Sequence, residues 1–360
     1  MFNFHLSYQW LHWRRPVSRP LPRLPDGVER FFVQTAGGDV EVLYAKPKGP
    51  AKTSHPHPHP RPHPLFFAHG GMGGAWVWLE YLEYFSARGI PCYAVSLRGH
   101  GNSWYPSFLH MVYGTTKRML ADDLVAGIRW AQERESGNEV VLVGHSSGGG
   151  LSQLILSEQD VKVKGLALVA AVPGFGSFRV YVNWWLLDPW FTLRMVFHGW
   201  HPNSPLSHPA LTKRAFFSEH VTDDLVKRFQ QRINSYESFL WPLGMGYSFV
   251  NPRKMLPQIT SNTATGQRIL ILCGGADKLM TLPVMTRLAD MYRAAFFNLS
   301  RRRKLDAVGD EINSISEEGQ QDTTGQGVRL CVVPGAGHHL QNDVQWEVGA
   351  QKLLTFYEQL

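Results

Sequence analysis

The stretch VLVGHSSGGG, residues 141–150, ends an apolar run in a histidine, two serines and three glycines. Within it, Gly144, Ser146 and Gly148 fit the pattern G-x-S-x-G, which is typical of a sharp strand-to-helix turn that carries a nucleophilic serine. Glycines two positions on either side let neighbouring backbone pass the turn without a Cβ clash. A Gly-Ser turn that only links a strand to a helix is the alternative interpretation.

The sequence on both sides of this turn alternates between strand-like and helix-like segments. Residues 139–144, EVVLVG, are rich in β-branched side chains and predict a buried strand, whereas residues 148–159 carry apolar side chains at helical spacing. The alternation repeats from residue 65 onward. It predicts an α/β fold in which helices cover both faces of a mostly parallel central sheet.

Breaks in this alternation predict how the chain is divided. The alternation stops over residues 177–266, which predict an inserted helical lid, so the core is assigned to residues 30–176 and 267–360. Residues 300–327 are polar and lack hydrophobic periodicity, which predicts a disordered surface insertion within the core. Residues 1–29 form an N-terminal arm.

An acid and a base follow the serine at the ends of later strand-like segments. LILCGGADKL carries Asp277, and VVPGAGHHL carries His338 and His339. The order serine, aspartate, histidine is the one used on α/β sheets for nucleophilic catalysis, and the carboxyl ends of parallel strands meet at one edge of the sheet. We therefore predict a triad of Ser146, Asp277 and His338. His338 is preferred over His339 because it directly follows the glycine-flanked loop, although Asp277 alone could simply cap a helix.

Such a triad needs backbone donors for the oxyanion that forms during acyl transfer. The residue after the nucleophile, Ser147, offers one N–H group. The loop HGGMGGAW, residues 69–76, follows an early strand and offers a second N–H group at Gly71. Ser147 and Gly71 are the predicted oxyanion donors.

Five motifs together resemble the α/β-hydrolase superfamily, in its single-domain, lid-bearing form. They are HGGMGGAWVW, SLRGHGNS, GHSSGGG, GGADKL and GAGHHL. The resemblance implies a serine hydrolase that works through an acyl-enzyme and needs no cofactor or metal. Two departures are visible: the stretch between acid and base is longer than usual, and Val95 and Ser96 stand where many relatives have an aspartate, a position we interpret as structural.

The predicted activity is cleavage of a carboxylic ester-like bond in a small apolar acyl or lipid-like substrate. The predicted lid is rich in tryptophan, which suits an apolar ligand; its five tryptophans are Trp184, Trp185, Trp190, Trp200 and Trp241. These rings could equally hold the lid to the body. Two alternatives for function remain. One is a lyase or acyltransferase on the same triad, since HGGMGGAWVW also resembles plant hydroxynitrile lyases. The other is a catalytically silent binding protein.

Net charge, cysteine placement and the length of apolar runs indicate which partners and which cellular compartment to expect. The formal charge is +7, but much of it lies in the N-terminal arm, so a nucleic-acid surface is not indicated. Three cysteines, Cys92, Cys273 and Cys331, fall in apolar runs and predict free thiols in a reducing, intracellular compartment. No apolar run reaches the length that spans a bilayer.

The arm itself is aromatic and then basic, with no acidic residue before Asp26. An acid-poor, arginine-containing segment fits a mitochondrial presequence, and a disordered tail fits equally well. The same composition could rest on an anionic membrane surface. The expected location is thus the cytoplasm or the mitochondrion, with peripheral membrane contact as an open alternative.

Overall fold

The computed structural model describes residues 4–16, 21–49, 62–261, 266–302, 305, 315–319 and 321–360. Ten strands form one sheet in the order β1-β2-β4-β3-β5-β6-β7-β10-β9-β8. The strands are β1 Val28–Gln34, β2 Asp39–Ala45, β3 Leu65–Ala68, β4 Cys92–Val95, β5 Val141–His145, β6 Gly165–Val169, β7 Ile269–Gly274, β8 Ser316–Gly319, β9 Asp322–Gly325 and β10 Val328–Val333.

The middle of the sheet is parallel and its two edges are antiparallel. Strands β4, β3, β5, β6, β7 and β10 pair in parallel, whereas β1 and β2 at one edge and β9 and β8 at the other pair antiparallel. Every residue of β3 and β5 is buried, as expected for parallel strands covered on both faces. The predicted α/β class with a mostly parallel sheet is confirmed.

The helices are α1 Leu79–Ser86, α2 Lys117–Arg134, α3 Ser146–Ser157, α4 Phe178–Leu187, α5 Phe191–Phe197, α6 Pro209–Phe216, α7 Asp223–Gln230, α8 Leu240–Leu243, α9 Pro252–Met255, α10 Leu282–Arg301 and α11 Trp346–Tyr357. Helices α1 and α11 contact each other over one side of the sheet, whereas α2, α3 and α10 pack on its strands as the other layer. Because both layers bury apolar faces against the strands, the edge at the carboxyl ends of the parallel strands is left to the loops.

Helices α4 to α9 form a helical insertion between β6 and β7. Its last part belongs to the body: α9 packs against α3 and α10, and Ile259 forms an isolated bridge with Val163 next to β6. Residues 262–265 lie outside the described residues. The part of the helical insertion that does not pack as part of the body is therefore shorter than residues 177–266, the interval in which the sequence shows no strand-helix alternation.

The polar segment before β10 differs from the prediction of disorder over residues 300–327. Helix α10 continues to Arg301, and β8 and β9 extend the sheet beyond β10. Asp322 is buried, accepts the Val332 N–H at 2.8 Å and pairs with Lys352. Backbone pairing and this carboxylate stabilise strands β8 and β9 without apolar periodicity, so the hydrophobic pattern of the sequence did not predict them. Residues 303–304, 306–314 and 320 lie outside the described residues.

The N-terminal arm packs on the helical insertion through residues 4–16. The Arg194 Nε donates to the His5 carbonyl at 2.7 Å, the Tyr8 hydroxyl donates to the Phe197 carbonyl at 2.8 Å, and Leu11 is buried. The disordered alternative is therefore wrong for residues 4–16, while residues 1–3 and 17–20 lie outside the description. Over the part of the chain that is described, no helix combines the length and apolar character needed to cross a bilayer.

Candidate active site

The turn after β5 has the backbone geometry of a strained elbow. Ser146 begins α3 with a φ of 51°, a left-handed conformation that costs a non-glycine residue about 1–3 kcal/mol. A Cβ on Gly148 would lie 2.1 Å from the His69 carbonyl oxygen, and one on Gly144 would lie 2.6 Å from the Gly149 Cα. Both flanking glycines are thus required by close backbone approach.

Three predicted residues meet at the carboxyl edge of the parallel strands. The Ser146 Oγ lies 3.0 Å from His338 Nε2, and His338 Nδ1 lies 2.9 Å from Asp277 Oδ2. Ser146 follows β5, Asp277 follows β7 and His338 follows β10, which are separated in the sheet only by β6. Asp277 and His338 are buried, whereas Ser146 is partly exposed and lines a cavity.

Backbone donors fix the acid, and two side chains fix the base. Asp277 Oδ1 accepts the N–H groups of Leu279 and Met280 at 2.8 and 2.9 Å, so its other oxygen is directed at His338. The His338 carbonyl accepts a hydrogen bond from His145 Nε2 at 3.1 Å. Asp343 accepts the Gly337 N–H at 3.0 Å, just before the base. The three side chains of the predicted triad are therefore held in place by contacts within the protein.

His339 has a different environment from its neighbour. Its Nδ1 lies 3.2 Å from Asn342 Oδ1, and its ring packs against the rings of Phe216 and Phe229. Burial, with a smaller effect of His338, lowers the pKa of His339 to about 3. A neutral imidazole among aromatic rings, with no contact to Ser146, serves packing.

The predicted oxyanion residues Gly71 and Ser147 both line the cavity beside Ser146. Ser147 lies in the first turn of α3, where backbone N–H groups have no intrahelical acceptor. The loop that carries Gly71 is fixed by His69, whose Nε2 accepts the Leu97 N–H at 3.0 Å and whose Nδ1 donates to the Gly70 carbonyl at 2.7 Å. Burial lowers the pKa of His69 well below its usual value, which keeps this tautomer neutral.

Two further residues of the site, Glu237 and His100, were missed by motif reasoning. Glu237, in the helical insertion, accepts the Met72 N–H at 2.9 Å and contacts His100 Nε2 at 2.8 Å. His100 Nδ1 in turn lies 2.8 Å from the Arg98 carbonyl, so both ring nitrogens face acceptors, as an imidazolium requires. His100 stands in the RGHG motif, but no spacing in the sequence links it to Glu237.

The charges of this pair are mutually stabilised. Burial is the largest effect and opposes ionisation of His100, but the Glu237 carboxylate, the Arg98 carbonyl and Asp123 together outweigh it and raise the pKa of His100. Burial likewise opposes ionisation of Glu237, yet His100 and the N–H groups of Met72 and Ser238 lower the pKa of Glu237. Met72 has a φ of 66°, so Glu237 holds a strained residue directly after Gly71.

Ser96, at the position where the expected aspartate is absent, makes hydrogen bonds to neighbouring loops and strands. Its Oγ accepts the Ala75 N–H at 2.8 Å and donates to Glu41 Oε2 at 2.8 Å. Glu41 also accepts the backbone N–H of Asn102 at 3.0 Å. A carboxylate on β2 thus supplies the RGHG loop with acceptors that residue 96 lacks.

A cavity of about 390 Å³ opens at Ser146 and His338. Most of its walls come from the helical insertion and are apolar or aromatic, including Trp184, Phe216 and Trp241. Glu237 is the acidic group among its lining residues. A larger groove of about 680 Å³ lies along α6 and α7 and is lined by none of the triad residues. Across the described ranges, no three His, Cys, Asp or Glu side chains cluster as metal ligands would.

Comparison with known proteins agrees with the α/β fold described above. A sequence model described as "Alpha/beta hydrolase family" matches residues 65–347. An esterase from Thermogutta terrifontis is 17% identical, with 91% of this chain and 97% of that chain covered and a TM-score of 0.58. An esterase from Exiguobacterium antarcticum is 16% identical, with coverage of 91% and 98% and a TM-score of 0.59. Identities this low establish the fold alone.

One curated relative matches over a short segment. Protein ABHD8 of Mus musculus is 31% identical over 139 residues, which cover 34% of this chain and 30% of ABHD8. The match therefore spans under a third of that protein.

Proposed function

Because the chain belongs to the alpha/beta hydrolase family, we propose that it is a serine hydrolase that cleaves carboxylic ester-like bonds through an acyl-enzyme. The observation that carries the proposal is the continuous relay from Ser146 Oγ through His338 to Asp277, with steps of 3.0 and 2.9 Å. These are the distances at which a base can remove the serine proton.

In the proposed mechanism, Ser146 Oγ attacks the substrate carbonyl while His338 Nε2 takes its proton. Asp277 stabilises the resulting imidazolium through His338 Nδ1. The N–H groups of Gly71 and Ser147 bind the oxyanion. His338 then protonates the leaving alcohol, and a water activated by the same imidazole releases the acid from Ser146.

Glu237 and His100 are proposed as positioning residues for the oxyanion loop. Glu237 binds the Met72 N–H, which leaves the neighbouring Gly71 N–H to face the substrate. A carboxylate this close to a developing oxyanion would oppose it, but the His100 cation at 2.8 Å offsets the charge. The pair thereby links the helical insertion to the loop on which catalysis depends.

The proposed substrate class is an apolar acyl or lipid-like ester. A cavity of about 390 Å³ lies within the range of small-molecule sites, and its aromatic walls favour an apolar chain over a polar one. The helical insertion forms most of that wall, so we assign it the role of a lid. The three cysteines are free and buried, which supports a reducing compartment, the cytoplasm or the mitochondrion.

Labelling with a fluorophosphonate probe tests the proposal. The wild-type protein should form a covalent adduct at Ser146, and Ser146→Ala should form none. Ser147→Ala is the matched control, because it removes a neighbouring hydroxyl and keeps its backbone N–H. An unlabelled wild-type protein would leave a catalytically silent binding protein as the better interpretation. A panel of acyl esters of increasing chain length would then define the acyl preference.

A further inference from the structure

An unusual amount of apolar surface is exposed around the first two helices of the insertion. Residues 178–200, which contain α4 and α5, expose Phe178, Trp185, Leu186, Trp190, Phe197 and Trp200. Trp190 and Trp200 are not among the residues that line the cavity, and their exposed fractions are 40% and 54%. Neither ring therefore lines the cavity, and each adds exposed apolar surface to the insertion.

The N-terminal arm adds to the same surface. The Phe4 ring packs edge-on against the rings of Trp190 and Phe197 at centroid distances of 5.7 and 6.2 Å. The hydrogen bonds from Arg194 and Tyr8 fix the arm to α5. We call the exposed side chains of residues 4–16 and 178–200 the arm–hairpin surface.

The arm–hairpin surface carries positive and no negative exposed charge. Asp188 is its only acidic residue, and that side chain is buried against Arg194. Arg14, Arg15 and Arg179 are exposed on it. Exposed tryptophan, phenylalanine and tyrosine next to arginine, without acids, is the composition of surfaces that enter the headgroup region of anionic bilayers.

The surface is also continuous with the mouth of the cavity. Tyr181 and Trp185 line the cavity that opens at Ser146 and are exposed on the arm–hairpin surface at the same time. A layer of lipid against this surface would therefore reach the cavity rim directly. Apolar patches of this kind on one chain indicate contact with an apolar partner.

We propose that the arm–hairpin surface docks on an anionic lipid bilayer, with its aromatic rings at headgroup depth and its arginines on the lipid phosphates. Docking itself does not depend on catalysis. A second step rests on the proposed function: the apolar ester enters the cavity from the lipid layer, past Tyr181 and Trp185. Substrate held in vesicles should then be cleaved faster than the same ester dispersed without lipid.

Vesicle sedimentation with the Ser146→Ala protein tests docking without turnover. Vesicles of phosphatidylcholine mixed with phosphatidylserine should sediment the protein, and vesicles of phosphatidylcholine alone should sediment much less. The double variant Leu186→Ser/Val196→Ser should bind the anionic vesicles about ten-fold more weakly, because it removes two apolar side chains from the contact. Added salt should weaken binding further.

The matched control is Val344→Ser/Val348→Ser, which removes two exposed apolar side chains from the body. Val196 and Val344 are 53% and 52% exposed, and Leu186 and Val348 are 59% and 42% exposed, so the control removes a similar but somewhat smaller exposed apolar area. Binding by this control should equal that of the parent. No sedimentation with either vesicle, or an equal loss in both double variants, would overturn the proposal. A dimer in sedimentation velocity that Leu186→Ser/Val196→Ser dissolves would overturn it too, since a second copy would then occupy the surface.

Discussion

Ser146, Asp277 and His338 each follow a buried parallel strand, whereas Glu237 reaches the same cavity from a loop between short helices of the insertion. In the body, chain direction and strand order bring the three groups together. In the insertion, contacts made only in the folded state place the groups that shape the cavity. One site therefore combines groups that local motifs place, Ser146, Asp277 and His338, with a group that tertiary packing places, Glu237.

The largest expected effect comes from replacing Ser146, the proposed nucleophile. Ser146→Ala should lower ester turnover by about 10⁴-fold or more, because it removes the oxygen that forms the covalent bond in the proposed mechanism. Ser147→Ala should stay within a few-fold of wild type. Turnover of purified protein on a short-chain ester, with circular dichroism to confirm folding, measures both. Substantial turnover by a folded Ser146→Ala protein would show that Ser146, despite its place in the G-x-S-x-G motif, is not the nucleophile.

The two adjacent histidines provide the next test. His338→Gln should reduce kcat by about 10³-fold or more, since the proton transfer and its link to Asp277 are both lost. His339→Gln should reduce kcat by no more than a few-fold, because His339 packs against Phe216 and Phe229 and does not contact Ser146. The comparison of kcat decides between them, and equal losses would reverse the assignment.

A third test asks whether the insertion contributes to chemistry. Glu237→Gln should lower kcat by about 10- to 100-fold with KM within a few-fold, because weaker positioning of the Gly71 N–H costs part of an oxyanion-hole donor. Fluorophosphonate labelling should slow by a similar factor. Glu219→Gln, an exposed carboxylate of the same insertion, is the control and should change neither rate. A Glu237→Gln protein that loses thermal stability but keeps its kcat would assign the pair to folding alone.

The smallest expected effect on activity concerns the polar strands at the sheet edge. Asp322→Asn should lower the free energy of unfolding by about 1–3 kcal/mol, because it weakens a buried pair with Lys352 and the bond to the Val332 N–H. Glu318→Gln on β8, where the carboxylate is partly exposed, should cost about 0.5 kcal/mol or less. Urea unfolding measures both, and kcat should not move. A loss of kcat in Asp322→Asn would connect the edge to the His338 loop.

The sequence predicted those elements whose local residue pattern depends directly on burial or backbone conformation. The buried strands, the turn at Ser146 and the acid and base after later strands all follow from hydrophobic runs, glycine placement and chain order. Glu237 and His100 lie 137 positions apart, and no periodic pattern relates them. Strands β8 and β9 were missed because hydrogen bonds and Asp322, not apolar side chains, stabilise them. The packed arm was missed because an acid-poor aromatic segment also fits a tail or a targeting sequence.

Several buried histidines near Ser146, Asp277 and His338 make the stability of the protein depend on pH. His69, His145 and His339 all have lowered pKa values, with burial as the main cause, so the folded protein leaves them neutral. The unfolded chain protonates them below about pH 6.5, so stability falls as the pH drops below that value. His339 alone, with a pKa of about 3, should remove about 2 kcal/mol of stability between pH 7 and pH 5.

His100 acts in the opposite sense. Its raised pKa means that its contribution is complete below about pH 6.5 and is lost as the pH rises through the folded value. Around the candidate site three lowered histidine pKa values oppose one raised value, so the protein should be less stable at pH 5 than at pH 7. Urea midpoints at pH 7 and pH 5 test this, and His339→Gln should narrow the gap between them. Equal midpoints would mean that the buried imidazoles accept protons without unfolding.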